Sequence, residues 1–106
     1  MPWRVRRRRC GRGRPCIEPI IYSFPEFKEL VPRPAKTTEP VYITYSEYEA
    51  LRLVDYEGLT CEEAAKKMGV SRGSLWRLLS SARKKLITSM VESRPLKIRE
   101  ESTEPV

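Results

Sequence analysis

Two groups of arginines have the clearest chemical potential in this chain. One lies in "RRRRCGRGRP" at residues 6–15, and the other lies in "SRGSLWR" at residues 71–77. A guanidinium group can pair with phosphate through two N–H donors, and it can pair in the same way with the O6 and N7 atoms of guanine. Both groups therefore indicate contact with nucleic acid.

The first sixteen residues hold all of the net charge. The chain has 21 basic and 14 acidic side chains and a formal charge of +7, and the seven arginines of this segment leave the rest electrically balanced. A block of like charge repels itself unless a polyanion neutralises it, so nucleic acid or an anionic membrane surface is the expected partner. The "RGRP" at 12–15 resembles the core of an AT-hook, which lies in the minor groove, and a non-specific arm that neutralises phosphates is the alternative. The candidate contacts in this arm are Arg7, Arg8, Arg9, Arg12 and Arg14.

Residues for catalysis or metal binding are not evident in the sequence. The chain has no histidine, and its glycines do not form a phosphate-binding loop between a strand and a helix, so we predict no enzyme, no catalytic residue and no cofactor. Cys10 and Cys16 are spaced poorly for zinc and are expected to be free thiols. An odd number of cysteines and the lack of a long apolar run favour a cytoplasmic protein without a membrane partner.

Three helices must position the second group of arginines. Capping residues predict the helix starts, and Gly58 and Gly69 predict the ends of the first two helices. The third helix is expected to run to about residue 93, because an apolar stripe continues at helical spacing. The capping pairs are Ser46 with Glu49, Thr60 with Glu63, and Ser71 with Ser74. The stripe is Leu75, Leu78, Leu79, Ala82, Leu86, Met90 and Val91.

The second and third helices have the pattern of a helix-turn-helix. Ala65 is small where two helices would cross, Gly69 suits a tight turn, and Val70 with Leu75 would fill the corner. An ordinary antiparallel helical hairpin is the alternative. In a helix-turn-helix the second helix enters the major groove with its first turns. The outward candidates for DNA contact are Ser71, Arg72, Gly73, Ser74, Trp76, Arg77 and Ser80, followed by Lys84.

Each of these candidates has an expected role. Arg72 and Arg77 would contact guanine, because a guanidinium can bond O6 and N7 together. Gly73 would allow close approach of the backbone, and the serine hydroxyls would contact phosphates or bases. Trp76 would either cover a thymine methyl group or pack on the first helix, and the sequence leaves both positions open. Lys84 would contact phosphate or remain solvated.

Shorter segments flank the predicted helices. Residues 17–40 contain five prolines and many apolar side chains, so an extended path packed on the following domain or on a partner subunit is expected. "VYIT" at 41–44 and "LKIR" at 96–99 are candidate strands that could pair. The predicted fold class is mainly α: a three-helix helix-turn-helix domain at 41–99 with a two-stranded β element, an extended basic arm at 1–16 and a disordered tail at 100–106.

The motifs "LRLVDYEGLT", "EEAAKKMGVSRGS" and "SARKKL" resemble those of a family of small uncharacterised prokaryotic proteins. Its members are classed as predicted DNA-binding proteins with a helix-turn-helix similar to region four of sigma factors. The resemblance covers residues 41–99 and extends loosely to the "GRP" at 13–15. It implies a tri-helical DNA-binding domain and a role in transcription regulation, although the long arginine run departs from the family's pattern.

The expected function is therefore sequence-specific binding of double-stranded DNA by a transcription regulator. The small core and the spare apolar residues at 17–31 favour a homodimer. Two alternatives stay open at this point. One is a protein-interaction adaptor of the transcription machinery, with RNA polymerase as its partner, and the other is an RNA-binding protein.

Overall fold

The computed structural model describes residues 2–5 and 19–105. In these residues three α-helices and a π-helical turn are combined with six short strands. The helices are α1 (Tyr45–Leu51), α2 (Cys61–Met68) and α3 (Arg72–Glu92), and the π-helical turn is Arg52–Tyr56. The strands are β1 (Trp3–Val5), β2 (Ile20–Ile21), β3 (Glu29–Leu30), β4 (Val41–Thr44), β5 (Leu96–Arg99) and β6 (Thr103–Pro105).

Helix α1 begins after Thr44. The Thr44 hydroxyl accepts a hydrogen bond from the Glu47 N–H at 3.2 Å, and the Glu47 carboxylate accepts one from the Thr44 N–H at 2.9 Å. The start predicted at Ser46 is wrong by two residues. Its expected partner Glu49 is fully buried within the helix and accepts a hydrogen bond from Arg52 at 2.7 Å.

Helix α2 is joined to α3 by a turn of three residues. The capping box predicted at Thr60 and Glu63 is present, with both hydrogen bonds at 3.1 Å. Gly69 ends α2 in the left-handed region with φ of 68°. A Cβ atom at Gly69 would lie 3.2 Å from Cδ1 of Ile20, so both the backbone angle and the space favour glycine. Ser71 then caps the start of α3.

The core lies between α1, the π-helical turn, α2 and the first half of α3. Its buried members are Ala50, Leu53, Ala64, Ala65, Met68, Leu75 and Leu79. A second buried cluster attaches β4 and β5 to α3 through Val41, Ile43, Ala82 and Leu96. The predicted end of the third helix near residue 93 is confirmed, although Met90 and Val91, which end the apolar stripe, are 67% and 72% exposed. In the described part of the chain, no helix is long and apolar enough to cross a membrane.

The predicted fold class, mainly α with a two-stranded β element, is wrong. Strand β5 pairs in parallel with β4 and antiparallel with β3, while β1 lies between β2 and β6. The chain is therefore a compact α/β fold with two three-stranded sheets. The physical reason is that segments expected to be extended or disordered find strand partners far away in the sequence. Strand β6 lies within the tail that the sequence predicts to be disordered.

The apolar residues after the arginine-rich segment pack on the rest of the chain. Ile21 is fully buried, and the ring of Phe24 makes edge-on contacts with Trp3 at 6.0 Å and Tyr45 at 5.1 Å between centroids. Phe27 makes a similar contact with Tyr48. The prediction that this proline-rich segment packs on the following domain is confirmed for these residues.

Candidate nucleic-acid interface

The first half of α3 separates a buried face from an open one. Leu75 and Leu79 are fully buried against the core. Successive helical residues turn by about 100°, so side chains about half a turn away from these leucines face outward, whereas Leu78 is partly buried against the same core. The predicted contacts that the structure places together on the exposed side are Arg72, Gly73, Trp76, Arg77 and Ser80.

Two serines at the start of α3 bond to each other and to an arginine. The Ser71 hydroxyl accepts the Ser74 N–H at 3.1 Å and donates to the Ser74 hydroxyl oxygen at 3.0 Å. Nη2 of Arg77 donates to the same Ser74 oxygen at 3.4 Å. Since a guanidinium has several N–H donors and this contact uses one, Arg77 is oriented along the first turn and keeps donors for a ligand.

Trp76 stands on the open face beside these arginines. Its side chain is 55% exposed, so packing on α1 does not bury it. No aromatic ring among the described residues stacks on it. The open face therefore combines guanidinium groups with one large apolar surface, which is the combination needed to contact both base edges and a thymine methyl group.

The cations along α3 differ in whether an acid neutralises them. Arg83 makes two hydrogen bonds to Asp55, at 2.7 and 3.0 Å, and this contact lowers the pKa of the Asp55 carboxyl. Arg72, Arg77 and Lys84 form no ion pair with any residue that the structure describes. Within α3, the positive charge without a described acidic partner therefore lies at Arg72, Arg77 and Lys84.

Sequence reasoning missed two lysines on α2. Lys66 and Lys67 are exposed in the last turn of this helix, next to Gly69. Nζ of Lys67 lies 4.9 Å from the ring centroid of Tyr22, a cation–π contact. In a helix-turn-helix the helix before the turn crosses the phosphate backbone. The signal that could have identified them is two adjacent lysines directly before the glycine of the turn.

The arginine-rich segment is attached next to the same turn. Arg7, Arg8, Arg9, Arg12 and Arg14 lie outside the residues that the structure describes. The residues on either side of it are paired, since the Val5 N–H donates to the Pro19 carbonyl oxygen at 2.9 Å. Ile20 follows and lies against Gly69. The two ends of the segment are therefore held together beside the turn that leads into α3.

Comparison with known proteins places these elements within one family. A family described as "Protein of unknown function DUF134" matches residues 5–104. A UPF0251 protein of Pyrococcus furiosus is 51% identical over 102 residues, covering 92% of this chain and 94% of the relative. A UPF0251 protein of Archaeoglobus fulgidus is 42% identical over 96 residues, covering 91% and 90%.

The match includes the strands as well as the helices. No solved structure matches the chain. A third relative, a UPF0251 protein of Pyrococcus abyssi, is 55% identical over 80 residues, covering 76% of this chain and 73% of the relative. Because the family match runs from β1 into β6 and the first two relatives cover nine-tenths of the chain, this protein belongs to the UPF0251 family, also described as DUF134.

Proposed function

We propose that this protein binds double-stranded DNA in a sequence-specific manner and acts as a transcription regulator. The observation that supports this proposal best is the open face at the start of α3. Arg72 and Arg77 are exposed there without an ion pair to any described residue, while Leu75 and Leu79 fix the helix from behind. The resemblance of the helices to region four of sigma factors supports the same proposal.

In the proposed complex the first two turns of α3 enter the major groove. Arg72 and Arg77 bond guanine O6 and N7, and Trp76 covers a thymine methyl group. Gly73 has no side chain to hold the backbone away from the bases. Among the described residues outside its own stretch of helix backbone, the atom near its Cβ position is Nη1 of Arg77, at 3.9 Å. Ser80 and Lys84 follow on the same face, where the groove gives way to phosphate. Ser71 and Ser74 act mainly through the cap that orients Arg77.

The arginine-rich segment is proposed as a second point of contact with the same DNA. Attachment of both its ends beside the α2–α3 turn supports this, because the segment starts close to the helix that enters the groove. It would bind phosphates or an adjacent minor groove. Replacing Arg7, Arg8 and Arg9 by alanine should lower the slope of log affinity against log salt by about 0.9 for each phosphate that is no longer neutralised. An unchanged slope would contradict this role.

Selection of bound fragments from random double-stranded DNA tests the main proposal. The wild-type protein should enrich a sequence at both low and high salt, because base contacts survive the screening of phosphate contacts. The R72A/R77A variant should lose the preference and retain weak binding. R99A is a matched control, since it removes an arginine from β5 instead of α3. A parallel selection from random RNA that enriches RNA when the DNA selection enriches nothing would favour an RNA-binding protein. No enrichment in either selection would favour an adaptor for RNA polymerase.

A homodimer formed through the end of α3 is part of the proposal. Ile87, Met90 and Val91 are exposed on one side of this helix, where a second copy could cover them.

Sedimentation and a single substitution test this dimer. Sedimentation at micromolar concentration should show a dimer, and the V91D variant should be a monomer because a carboxylate would be buried in the contact. V91D should stay folded, since the position is exposed. If the wild-type protein is a monomer at high concentration, the dimer proposal is wrong. The selection experiment would still test DNA binding by single copies.

A further inference from the structure

A cleft lies between the end of α1, the π-helical turn and Leu86 of α3. Its volume is about 650 Å³, within the range of roughly 300–1,000 Å³ that is typical of small-molecule sites. The apolar part of its lining comes from Tyr48, Leu51, Tyr56 and Leu86. None of the residues of α3 that are proposed to contact DNA lines it.

The charges at this cleft do not balance. Nε of Arg52 bonds the fully buried Glu49 at 2.7 Å, and its Nη1 bonds Glu57 at 3.1 Å. Arg83 is paired with Asp55. Two guanidinium groups therefore face three carboxylates. The excess negative charge lies with Glu57, whose side chain is 46% exposed and shares an arginine already matched by Glu49.

An exposed aromatic ring stands beside this excess charge. Tyr56 is 83% exposed, although it lines the cleft and belongs to the regular π-helical turn. Folding gains little from such a ring, because apolar area stabilises a fold only when it leaves water. π-helical turns occur often at functional sites. A ring face next to a carboxylate is a favourable place for an organic cation.

We infer that this cleft binds a small aromatic amine. The ring of the ligand lies against the leucines, and its ammonium group lies between Glu57 and the face of the Tyr56 ring. Charge complementarity selects the cation, and the apolar lining favours an aromatic group. This site does not depend on the proposed DNA binding, so each can fail without the other.

Titration of the isotope-labelled full chain with tyramine, followed by NMR, tests the inference. Tyramine should shift the amide signals of residues 51–57 and of Leu86 in a saturable manner at millimolar concentration. The matched probe is 4-hydroxyphenylacetate, which has the same ring with a carboxylate in place of the protonated aminomethyl group. It should produce no saturable shift. Equal responses to the two probes, or none to tyramine, would overturn the inference.

Two variants locate the binding groups. Y56A should weaken tyramine binding about fivefold or more, because it removes the cation–π partner, and its exposed position leaves the fold intact. E57Q should reduce the preference for tyramine over 4-hydroxyphenylacetate. The control is Y42A, which removes a tyrosine from β4. Its ring centroid lies 4.8 Å from Cζ of Arg99. A loss of binding in Y42A equal to that in Y56A would contradict the assignment.

Discussion

The two halves of α3 share one buried face and differ on the other. From Arg72 to Ser80 the outer side has guanidinium, hydroxyl and indole groups, whereas from Ile87 to Val91 it has exposed aliphatic side chains. The inner side runs from Leu75 through Ala82 to the partly buried Leu86 and the buried Ser89. Folding therefore constrains only one face of this helix, and the other face is available for two different partners.

Under the proposed function, α3 alone carries two binding surfaces. A helix is rigid along its length, so whatever binds one half fixes the direction of the other. Glu47 holds α3 at the boundary between the halves, where it accepts hydrogen bonds from Ser81 and, at 2.6 Å, from Lys85. Substitutions on each face, and at the boundary, can break or sharpen this division.

The largest expected effect is on stability. L79A removes a fully buried side chain of the inner face and should lower the free energy of unfolding by about 2–5 kcal/mol. K84A, on the outer face, should change it by less than about 0.5 kcal/mol, because that side chain is exposed. Urea unfolding followed by circular dichroism measures both. Similar losses in the two variants would show that the outer face is also part of the core.

The next effect is on DNA affinity. R77A should weaken binding to the selected sequence by about 1–3 kcal/mol, because it removes one pair of hydrogen bonds to guanine. Its stability should stay near that of the wild type, since Arg77 is exposed. Fluorescence anisotropy at one fixed salt concentration measures the change, with R99A as the control. Equal weakening by R77A and R99A would indicate that charge alone, and not the face of α3, determines affinity.

A smaller effect concerns the turn that places the first half of α3. Gly58 and Gly69 both have positive φ, 79° and 68°, yet a Cβ at Gly58 would have no described atom within 4 Å apart from those of its chain neighbours. G58A should cost about 1 kcal/mol for backbone strain alone. G69A should cost more, because its Cβ would press on Ile20. If thermal unfolding shows equal losses, contact between β2 and the turn is not tight.

The smallest effect is a pH dependence at the boundary of the halves. Burial raises the pKa of Glu47, but hydrogen bonds from Lys85, Ser81 and the Thr44 N–H outweigh it, so the pKa is lowered overall. A lowered pKa stabilises the fold fully above the unfolded value of about 4.3, and this stabilisation is lost as pH falls further. Urea unfolding at pH 7 and pH 3.5 should therefore show a smaller difference for E47Q than for the wild type. An equal difference would assign the acid sensitivity to other groups.

Local signals in the sequence are sufficient for α2 and the start of α3. Thr60, Gly69 and Ser71 act on neighbouring backbone groups, so their spacing alone predicts where these helices begin and end. The start of α1 is ambiguous because Thr44 with Glu47 and Ser46 with Glu49 have the same spacing. The choice depends on Glu49, which is buried and accepts the Tyr22 N–H from a distant segment.

Long-range pairing explains the rest of the differences. Nothing near Trp3 indicates that it pairs with Ile21 and Pro105. The arginine-rich segment lies between Trp3 and Ile21, and most of the chain lies between Trp3 and Pro105. The exposure of Met90 and Val91 escapes sequence reasoning for a related reason. Their spacing continues the stripe, and spacing cannot show that no neighbour covers them. The exposure of Arg72 and Arg77 can be predicted from the sequence, because the spacing of the leucines determines which side of α3 faces outward.

The position of β1 at the centre of its sheet affects how the arginine-rich segment can be studied. Truncating the protein from its N-terminus would remove the middle strand before it reached the first of the clustered arginines, leaving β2 and β6 without the strand that each one pairs with. A shortened protein that fails to bind would therefore report structural damage as readily as missing charge. Charge-neutralising substitutions in the intact chain separate the two effects.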